Sequence, residues 1–185
     1  MPEDDATIRT RRPGAAEYSA HENLRDGRAL IIRSLRPEDR EGLLAALGRT
    51  SPHSLYRRFF AVKRYFSQQE TAYFMTIDFV EHVALVAEVE EGGRPAIVAG
   101  GRYVVTAPGR AELAFAVIDE YQGQGIGSLL MRSLTELARQ ARLRELVAEV
   151  LSENAAMLAV FKNSGLPVAT KREGNIVHIS LSIDR

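Results

Sequence analysis

The chain has 185 residues, of which 45% are hydrophobic and 26% are charged, a composition typical of one globular domain with a sizeable core. Its 24 basic and 24 acidic residues balance, so no overall charge attracts nucleic acid or an anionic membrane. Cysteine is absent, which excludes disulfides, thiolate metal ligands and a cysteine nucleophile. Because the amino-terminal segment also lacks an apolar signal stretch, we expect a soluble, cytoplasmic protein.

The amino-terminal segment and the first elements follow from local composition. Residues 1–23 are rich in charge, proline and glycine, so we predict a mobile arm before a single domain over residues 24–185. A strand is predicted at residues 29–35, and Pro37 indicates the start of a helix after it.

Two further helix starts are predicted from capping residues. Ser51 precedes a proline that suits the first helical position, and Ser67 forms a capping box with Glu70. A basic and aromatic cluster lies in and after the first of these helices, formed by Tyr56, Arg57, Arg58, Phe59, Phe60, Lys63 and Arg64. We interpret it as an amphipathic helix whose cations extend to solvent, with a surface that contacts a ligand as the alternative.

The second half of the chain alternates strands and helices. Strands are predicted at residues 82–89, 96–106, 111–118 and 145–151, and a carboxyl-terminal hairpin at residues 168–172 and 176–183. Gly100 and Gly101 suggest a bulge in the second of these strands. Helices are predicted after residue 125 and from about Asn154 to Asn163. The order of elements predicts an α+β domain.

A glycine-rich loop, Q-G-Q-G-I-G, separates the strand at residues 111–118 from the helix after it. Such a loop presents backbone N–H groups and a positive helix end to an anion, for example a pyrophosphate. A Walker A loop is excluded because no lysine follows Gly125, and the dinucleotide-binding fingerprint is matched only with Ser128 in place of its last glycine. An ordinary turn between strand and helix is the remaining alternative.

The pattern Q-x-x-G-x-G, carried by Gln122, Gly125 and Gly127, resembles the acyl-coenzyme A pyrophosphate loop of the GNAT superfamily of N-acetyltransferases. The order of elements and the sequence S-E-N-A-A-M-L-A-V-F-K-N-S-G-L are similar to that fold from Leu24 onward. The stretches L-R-D-G, I-R-S-L-R-P-E-D, S-P-H-S-L-Y-R-R-F-F and A-E-L-A-F-A-V resemble the catalytic domain of bacterial protein lysine acetyltransferases of the Pat type.

The resemblance implies a three-layer α+β GNAT fold, in which helices flank a mixed, mostly antiparallel sheet. The fourth and fifth strands of that sheet splay apart and admit the pantetheine arm of acetyl-CoA, the acetyl donor. Residues expected to bind the pantetheine are Ala116, Val117, Ile118 and Asn154. The pyrophosphate is expected at Gln122, Gly123, Gln124, Gly125, Ile126, Gly127 and Ser128. The histidines are scattered, so no metal site is expected.

Acetyl transfer to a lysine needs a base, because an amine of pKa about 10.4 is almost wholly protonated at neutral pH. The resemblance assigns this role to Glu112, which shares a strand face with small alanines. An edge-strand carboxylate paired with Arg110 or Arg102 is the alternative. Glu149 is the nearest competitor, although a cross-strand salt bridge suits it better. Phe161 stands where many small-molecule GNAT enzymes have a tyrosine acid, so no hydroxyl is available there.

These implications predict an acetyl-CoA-dependent N-acetyltransferase that acetylates lysine side chains of target proteins. The transfer would be direct, with general-base assistance, in a ternary complex. One alternative keeps the chemistry and takes a small amine or amino acid as the acceptor. The other is a CoA-binding sensor without turnover. The expected partner is therefore a protein with an exposed lysine or a small amine, and neither nucleic acid nor a membrane.

Overall fold

The sheet dominates the computed structural model, which describes residues 14–60 and 65–184. Its eight strands in the described ranges are β1 Ser19–Asn23, β2 Ala29–Ser34, β3 His82–Glu91, β4 Arg94–Ala107, β5 Arg110–Val117, β6 Glu145–Leu151, β7 Val168–Glu173 and β8 Ile176–Ser182. They lie side by side in the order β1-β2-β3-β4-β5-β6-β8-β7. The pair β5 and β6 is parallel and the other neighbours are antiparallel, which confirms the predicted mixed, mostly antiparallel sheet.

Helices cover both faces of the sheet. They are α1 Arg40–Gly48, α2 Pro52–Phe59, α3 Gln68–Met75, α4 Ile126–Gln140 and α5 Ala155–Lys162. The side chains of Leu130, Leu134 and Leu137 bury one stripe of α4 on the sheet face that carries Phe115. Helices α1 and α2 lie on the opposite face, beside Ala114 and Ala116. In the described ranges no helix is long and apolar enough to cross a membrane.

The helix starts predicted from capping residues are confirmed. The side chain of Ser51 accepts a hydrogen bond from the N–H of Ser54 at 3.2 Å. Ser67 and Glu70 bond each other reciprocally, with the Ser67 N–H donating at 3.0 Å and the Glu70 N–H at 3.1 Å. These bonds satisfy N–H groups that have no partner within the helix.

The strands β5 and β6 pair over only a short length. Arg110, Ala111 and Glu112 lie opposite Glu145, Leu146 and Val147, and the pairing ends there. Beyond Glu112 the two strands diverge, which leaves one edge of β5 without a neighbouring strand. The splay expected between the fourth and fifth predicted strands is therefore present between β5 and β6, because β1 adds one strand to the count.

The amino-terminal boundary predicted at Leu24 is too late. Structure begins by Gly14, and β1 pairs with β2 so that Ala20 lies opposite Ile32. The hydroxyl of Tyr18 donates to Ser133 in α4 at 2.9 Å. A polar edge strand is stabilised largely by backbone hydrogen bonds to its neighbour, so it shows no apolar alternation in the sequence. Residues 1–13 of the predicted arm lie outside the described residues.

The bulge expected at Gly100 and Gly101 lies elsewhere. The register of β3 and β4 shifts where Ala87 faces Ala99 and the next residue faces Ile97, so Val98 is the extra residue. Gly101 has a packing role instead, because a Cβ atom there would lie 2.8 Å from Phe115 Cδ1. Glycine at this position leaves room for the side chains of Phe115 and Leu134 against β4.

Candidate functional site

A cleft of about 390 Å³ opens where β5 and β6 diverge. Its walls come from β5, β6, α2, α5 and the glycine loop. Most of the predicted site residues line this one cleft, namely Glu112, Ala116, Val117, Gln122, Gly123, Gly125, Ile126, Gly127, Ser128 and Asn154. Residues far apart in sequence are therefore brought to the same opening in the sheet.

Two of the predicted site residues do not line the cleft. Ile118 is a core residue, only 2% exposed, whose N–H donates to the carbonyl of Val98 at 3.0 Å. Gln124 is half-buried beside the loop and does not reach the cleft lining. Strand β5 ends at Val117, and the side chain of Ile118, the next residue, is buried in the core. The role of Ile118 in pantetheine binding stays a prediction.

The glycine loop presents a row of free donors. In the described part of the chain, no hydrogen-bond acceptor meets any backbone N–H from Gly123 to Ser128, and α4 has no side-chain cap. Gly123 and Gly125 have φ values of +75° and +92°, which only glycine adopts without strain. These donors and the positive end of α4 lie together in one short loop, an arrangement that suits a diphosphate.

Close packing below the loop explains the third glycine. A Cβ atom at Gly127 would lie 3.2 Å from Val160 Cγ2 of α5. Glycine lets the two helices approach each other at the base of the cleft, and the loop remains open above them. The loop therefore keeps its backbone N–H groups accessible, as an anion site requires.

A polar network holds the loop against α2, and sequence reasoning missed it. Asp119 accepts hydrogen bonds from the Ser51 N–H at 2.9 Å and the Ser54 hydroxyl at 3.2 Å. Burial raises the pKa of Asp119, but these hydrogen bonds outweigh burial and hold the pKa below its usual value. The side chain of Gln122 donates to Ser54 Oγ and to the Val117 carbonyl, both at 3.1 Å. Gln122 thus connects the free edge of β5 with α2.

A second set of contacts fixes the start of the loop. The Tyr121 hydroxyl donates to Glu91 at 2.7 Å, and Arg49 bonds both Glu91 and Glu120 at 3.0 Å. Beside the loop, the guanidinium of Arg25 donates to the Gly123 carbonyl at 3.2 Å and lines the cleft. Arg25 was not predicted as a site residue, because the stretch L-R-D-G in which it lies was used only for the family resemblance and is distant from the loop in sequence.

Asn154 is the cap of α5, as the sequence predicts. Its side-chain oxygen accepts from the Met157 N–H at 3.2 Å. Its amide nitrogen donates to no acceptor within the described residues, and the residue lines the cleft. The side-chain oxygen of Asn154 can therefore cap α5 while its amide nitrogen is available to a ligand in the cleft.

Glu112 lies exposed at the end of the β5–β6 pairing, on the wall of the cleft. In the described part of the chain its carboxylate makes no hydrogen bond or ion pair. The alternative partners are engaged elsewhere: Arg110 lies 3.5 Å from Glu145, and Arg102 donates to His82 at 3.0 Å. An unpaired carboxylate here is free to accept a proton from a ligand.

Glu149 also lines the cleft, on the facing strand β6. Its carboxylate lies 3.3 Å from Nδ1 of His178, which is its direct neighbour across β6 and β8. The cross-strand pairing predicted for Glu149 is therefore present. Of the two carboxylates in the cleft, Glu112 is the one without a protein partner among the described residues.

The basic and aromatic cluster of α2 contributes two residues to the cleft. Arg57 Nε lies 3.6 Å from Glu153, and Arg58 stacks over the ring of Phe59 at 4.7 Å. Burial lowers the pKa of Arg58 to about 10, and the charge of Glu112 opposes this shift. These two cations thus lie in the cleft wall instead of extending to solvent. Lys63 and Arg64 of the predicted cluster lie outside the described residues.

Phe161 occupies the base of the cleft. The residue is 2% exposed, and its ring packs against Phe115 with centroids 5.8 Å apart. The position therefore supplies apolar contact and no proton donor. Among the described residues, no group of histidine, aspartate and glutamate is arranged to hold a metal ion.

Among the described residues, the splayed sheet has a row of free N–H donors at one end and an unpaired carboxylate at the other, which is the arrangement that the sequence resemblance implies for an acyl-CoA-dependent transferase. Residues 51–166 match the model of the acetyltransferase (GNAT) family. The chain belongs to this family. It is an N-acetyltransferase that uses acetyl-CoA as the acetyl donor, and the predicted GNAT fold is confirmed.

Two relatives show where the chain lies within the family. It is similar to acetyltransferase PA5475 of Pseudomonas aeruginosa, with 36% identity over 137 residues that make up 74% of each chain. It is 33% identical over 144 residues to acetyltransferase Pat of Mycolicibacterium smegmatis. That match covers 77% of this chain and 42% of Pat, so the chain spans less than half of that relative.

Solved structures give the same picture. The GNAT domain of S. lividans PAT superposes with a TM-score of 0.80 at 32% identity, covering 89% of this chain and 96% of that one. A cAMP-binding acyltransferase from Mycobacterium smegmatis superposes with a TM-score of 0.63 at 27% identity, covering 92% of this chain and 49% of that one. The resemblance to Pat-type enzymes found in the sequence is confirmed.

Proposed function

We propose that this protein acetylates lysine side chains of target proteins, with Glu112 as the general base. The observation that carries the proposal is the unpaired carboxylate of Glu112 in the same cleft as the glycine loop. Similarity to acetyltransferase Pat and to the S. lividans PAT domain supports a protein lysine as the acceptor.

The cofactor would be held along the length of the cleft. The N–H groups from Gly123 to Ser128 would bind its pyrophosphate, and Asn154 and the free edge of β5 near Ala116 would bind the pantetheine. When bound, acetyl-CoA supplies an acetyl thioester that an amine can attack. The apolar wall around Phe161 would exclude water from that group.

Glu112 would prepare the acceptor. Its carboxylate takes one proton from the lysine ammonium, directly or through a water, and the amine lone pair becomes available. Because the chain has no cysteine, a thioester-linked acyl-enzyme cannot form, which supports direct transfer within a ternary complex. The unpaired state of Glu112 in the free protein leaves it ready for this step.

The acceptor would approach from the side of α2 and α3. Arg57 and Arg58 lie in the cleft wall on that side. Their positive charges would attract a protein surface that carries acidic residues around its lysine. A small amine would gain little from the same charges at a distance.

Thiol release from acetyl-CoA tests the proposal against both alternatives. The assay uses folded proteins, lysine peptides and a panel of amino acids and polyamines, and mass spectrometry locates the acetyl group. We expect acetylation at the ε-nitrogen of lysines in folded proteins, and the Glu112→Gln variant serves as the negative control. Rapid acetylation of free amines without transfer to any protein would favour the small-molecule alternative. Saturable CoA binding without turnover on any amine would favour the sensor.

A further inference from the structure

A second, smaller cavity adjoins the cleft on the side of the sheet facing α1 and α2. Its volume is about 60 Å³, and Thr50, Arg58, Ala114 and Ala116 line both this cavity and the cleft. Its remaining walls are mostly apolar, formed by residues such as Leu43, Leu47, Phe59, Phe74 and Ile97. A ligand in the cleft can therefore extend into this space without crossing the sheet.

Two guanidinium groups face this otherwise apolar cavity. Arg58 comes from α2, and Arg102 comes from β4, where it lies directly opposite Ala114 of β5. Directly opposed residues of an antiparallel pair project to the same face, so Arg102 shares a face with Glu112. Arg102 stacks over Phe74 at 4.9 Å, and it donates to His82 at 3.0 Å and to the Phe74 carbonyl at 3.4 Å. These neutral contacts fix its orientation and leave its charge without a carboxylate among the described residues.

In the described ranges no carboxylate forms an ion pair with Arg58 or Arg102. The charge of Glu112 acts on Arg58 without forming an ion pair or hydrogen bond. Burial, and then the charge of Arg58, lowers the pKa of Arg102 to about 10. The two half-buried cations thus repel each other in an environment that hydrates them poorly. A bound anion would offset both costs.

We propose that this cavity binds a carboxylate group of the acceptor, which Arg58 and Arg102 hold while the acceptor amine meets Glu112. The inference rests on the proposed acetyl transfer and specifies the acceptor further. Arginine suits the role because its planar fork matches the two oxygens of a carboxylate.

The spacing limits which acceptors fit. Ala114, the partner of Arg102, lies two residues from Glu112 along β5, a separation of about 6 to 7 Å. Only a short chain of atoms can therefore separate the carboxylate of the acceptor from its amine. An acidic residue beside the target lysine meets this condition, and so does a free amino acid with its own carboxylate.

Paired probes test the inference on the wild-type protein. One pair is a lysine peptide with glutamate beside the target lysine and the same peptide with glutamine there. The other pair is free lysine and lysinamide, which separates a peptide source of the carboxylate from an amino-acid source. We expect kcat/KM to be at least about tenfold higher for the carboxylate member of one pair. Equal values within both pairs would overturn the inference while leaving the proposed acetyl transfer intact.

Variants locate the preference. Arg58→Gln and Arg102→Gln should each reduce the ratio within the pair to near one. Arg110→Gln is the matched control, since Arg110 is exposed at the far end of β5 and lines neither cavity. A carboxylate preference that persists in both cavity variants would show that the carboxylate binds elsewhere.

A binding measurement is independent of turnover. Glutarate titrated into the CoA-saturated protein should shift the side-chain N–H resonances of Arg58 and Arg102 in a saturable manner, with Arg110 unaffected. Absence of such shifts would overturn the carboxylate site even if every amine tested were acetylated. If glutarate shifts these resonances in a saturable manner but no amine is acetylated, the result would count against the proposed function alone.

Discussion

Two arginine sites on the same sheet differ in what surrounds the guanidinium. Arg33 of β2 is bonded by Asp39 at 2.7 and 2.8 Å and by Glu88 at 2.7 Å, and its side chain is only 10% exposed. The hydrogen bonds of Asp39 raise the pKa of Arg33 above its usual value. Arg58 and Arg102 are half-buried and lack carboxylate ion-pair partners among the described residues, and burial lowers both of their pKa values.

The difference separates structural charges from functional ones. A buried cation that is fully paired inside the protein contributes to a specific fold and offers nothing to a ligand. The cleft and the cavity beside it contain groups without an ion-pair partner among the described residues: the N–H row at Gly123 to Ser128, the Glu112 carboxylate, and the guanidinium groups of Arg58 and Arg102. Substitution in the first region should therefore change stability, and substitution in the second should change binding or turnover.

Loss of the Glu112 carboxylate should have the largest effect on function. The Glu112→Gln variant should keep its affinity for CoA and lower kcat at pH 7 by about 10² to 10⁴, the usual contribution of a general base. Raising the pH should recover part of the rate, because more of the acceptor amine is then neutral. Steady-state kinetics from pH 7 to 10 measure both effects.

Glu149→Gln is the matched control, since this second carboxylate of the cleft is already paired with His178. Its kcat should stay within about threefold of the wild type, as for an exposed ion pair. A wild-type rate in Glu112→Gln together with a slow Glu149→Gln would transfer the base role to Glu149.

A carboxylate placed in the glycine loop should block the binding of phosphate there. In Gly125→Glu the new side chain would occupy the free N–H groups and repel phosphate, so we expect CoA affinity to fall by about 100-fold or more. Calorimetric titration with CoA measures the loss. Gly174→Glu is the control, because Gly174 also has a positive φ, +60°, but lies in the β7–β8 turn outside the cleft. Wild-type affinity in a folded Gly125→Glu protein would contradict the assignment of the loop.

Removing a carboxylate partner of Arg33 should lower the stability of the protein and leave ligand binding unchanged. Asp39→Asn leaves a buried guanidinium short of one partner, so we expect the free energy of unfolding to fall by about 2 to 3 kcal/mol. Urea unfolding at pH 7 measures the change. Asp26→Asn removes an exposed partner of Arg28 and should produce no measurable change.

The same variant gives a pH dependence with a definite sign. Burial raises the pKa of Asp39, but the hydrogen bonds of Arg33 and Arg36 outweigh it, and the pKa lies below its usual 3.8. A lowered carboxyl pKa stabilises the protein at pH above 3.8, and this stabilisation is lost as pH falls through the lowered value. The difference between wild type and Asp39→Asn should therefore shrink below pH 3.8. A difference that grows with acidity would contradict this account.

Local chemistry explains which parts of the structure could be predicted. Ser51 and Ser67 cap helices through contacts with residues close in sequence, and the alternation along β5 places Glu112 and Phe115 on opposite faces. The glycine loop could be recognised because its positive φ values and close packing demand that residue type. Such features depend on a few neighbouring residues, so the sequence pattern contains them.

Features that depend on distant partners could not be predicted. The polar strand β1 forms only because β2 offers an unpaired edge, and Asp119 meets Ser51 across 68 positions of the chain. Arg102 was considered only as a partner for Glu112, because nothing local indicates that it faces Arg58 in a shared cavity. A charged side chain without a partner can be identified only when the fold shows which residues surround it.

The smallest effect is expected at Arg25, a solvent-exposed cation at the rim of the cleft. Arg25 donates to the Gly123 carbonyl and lies beside Gly125, and it forms no ion pair in the described part of the chain. Its charge should attract the phosphates of CoA through solvent, so Arg25→Gln should weaken CoA binding by about two- to fivefold at low salt. The effect should nearly vanish at about 0.5 M salt, because screening acts strongly on exposed charges. Arg110→Gln should show no change at either salt concentration. A loss in Arg25→Gln that is independent of salt would instead show that the hydrogen bond to Gly123 shapes the loop.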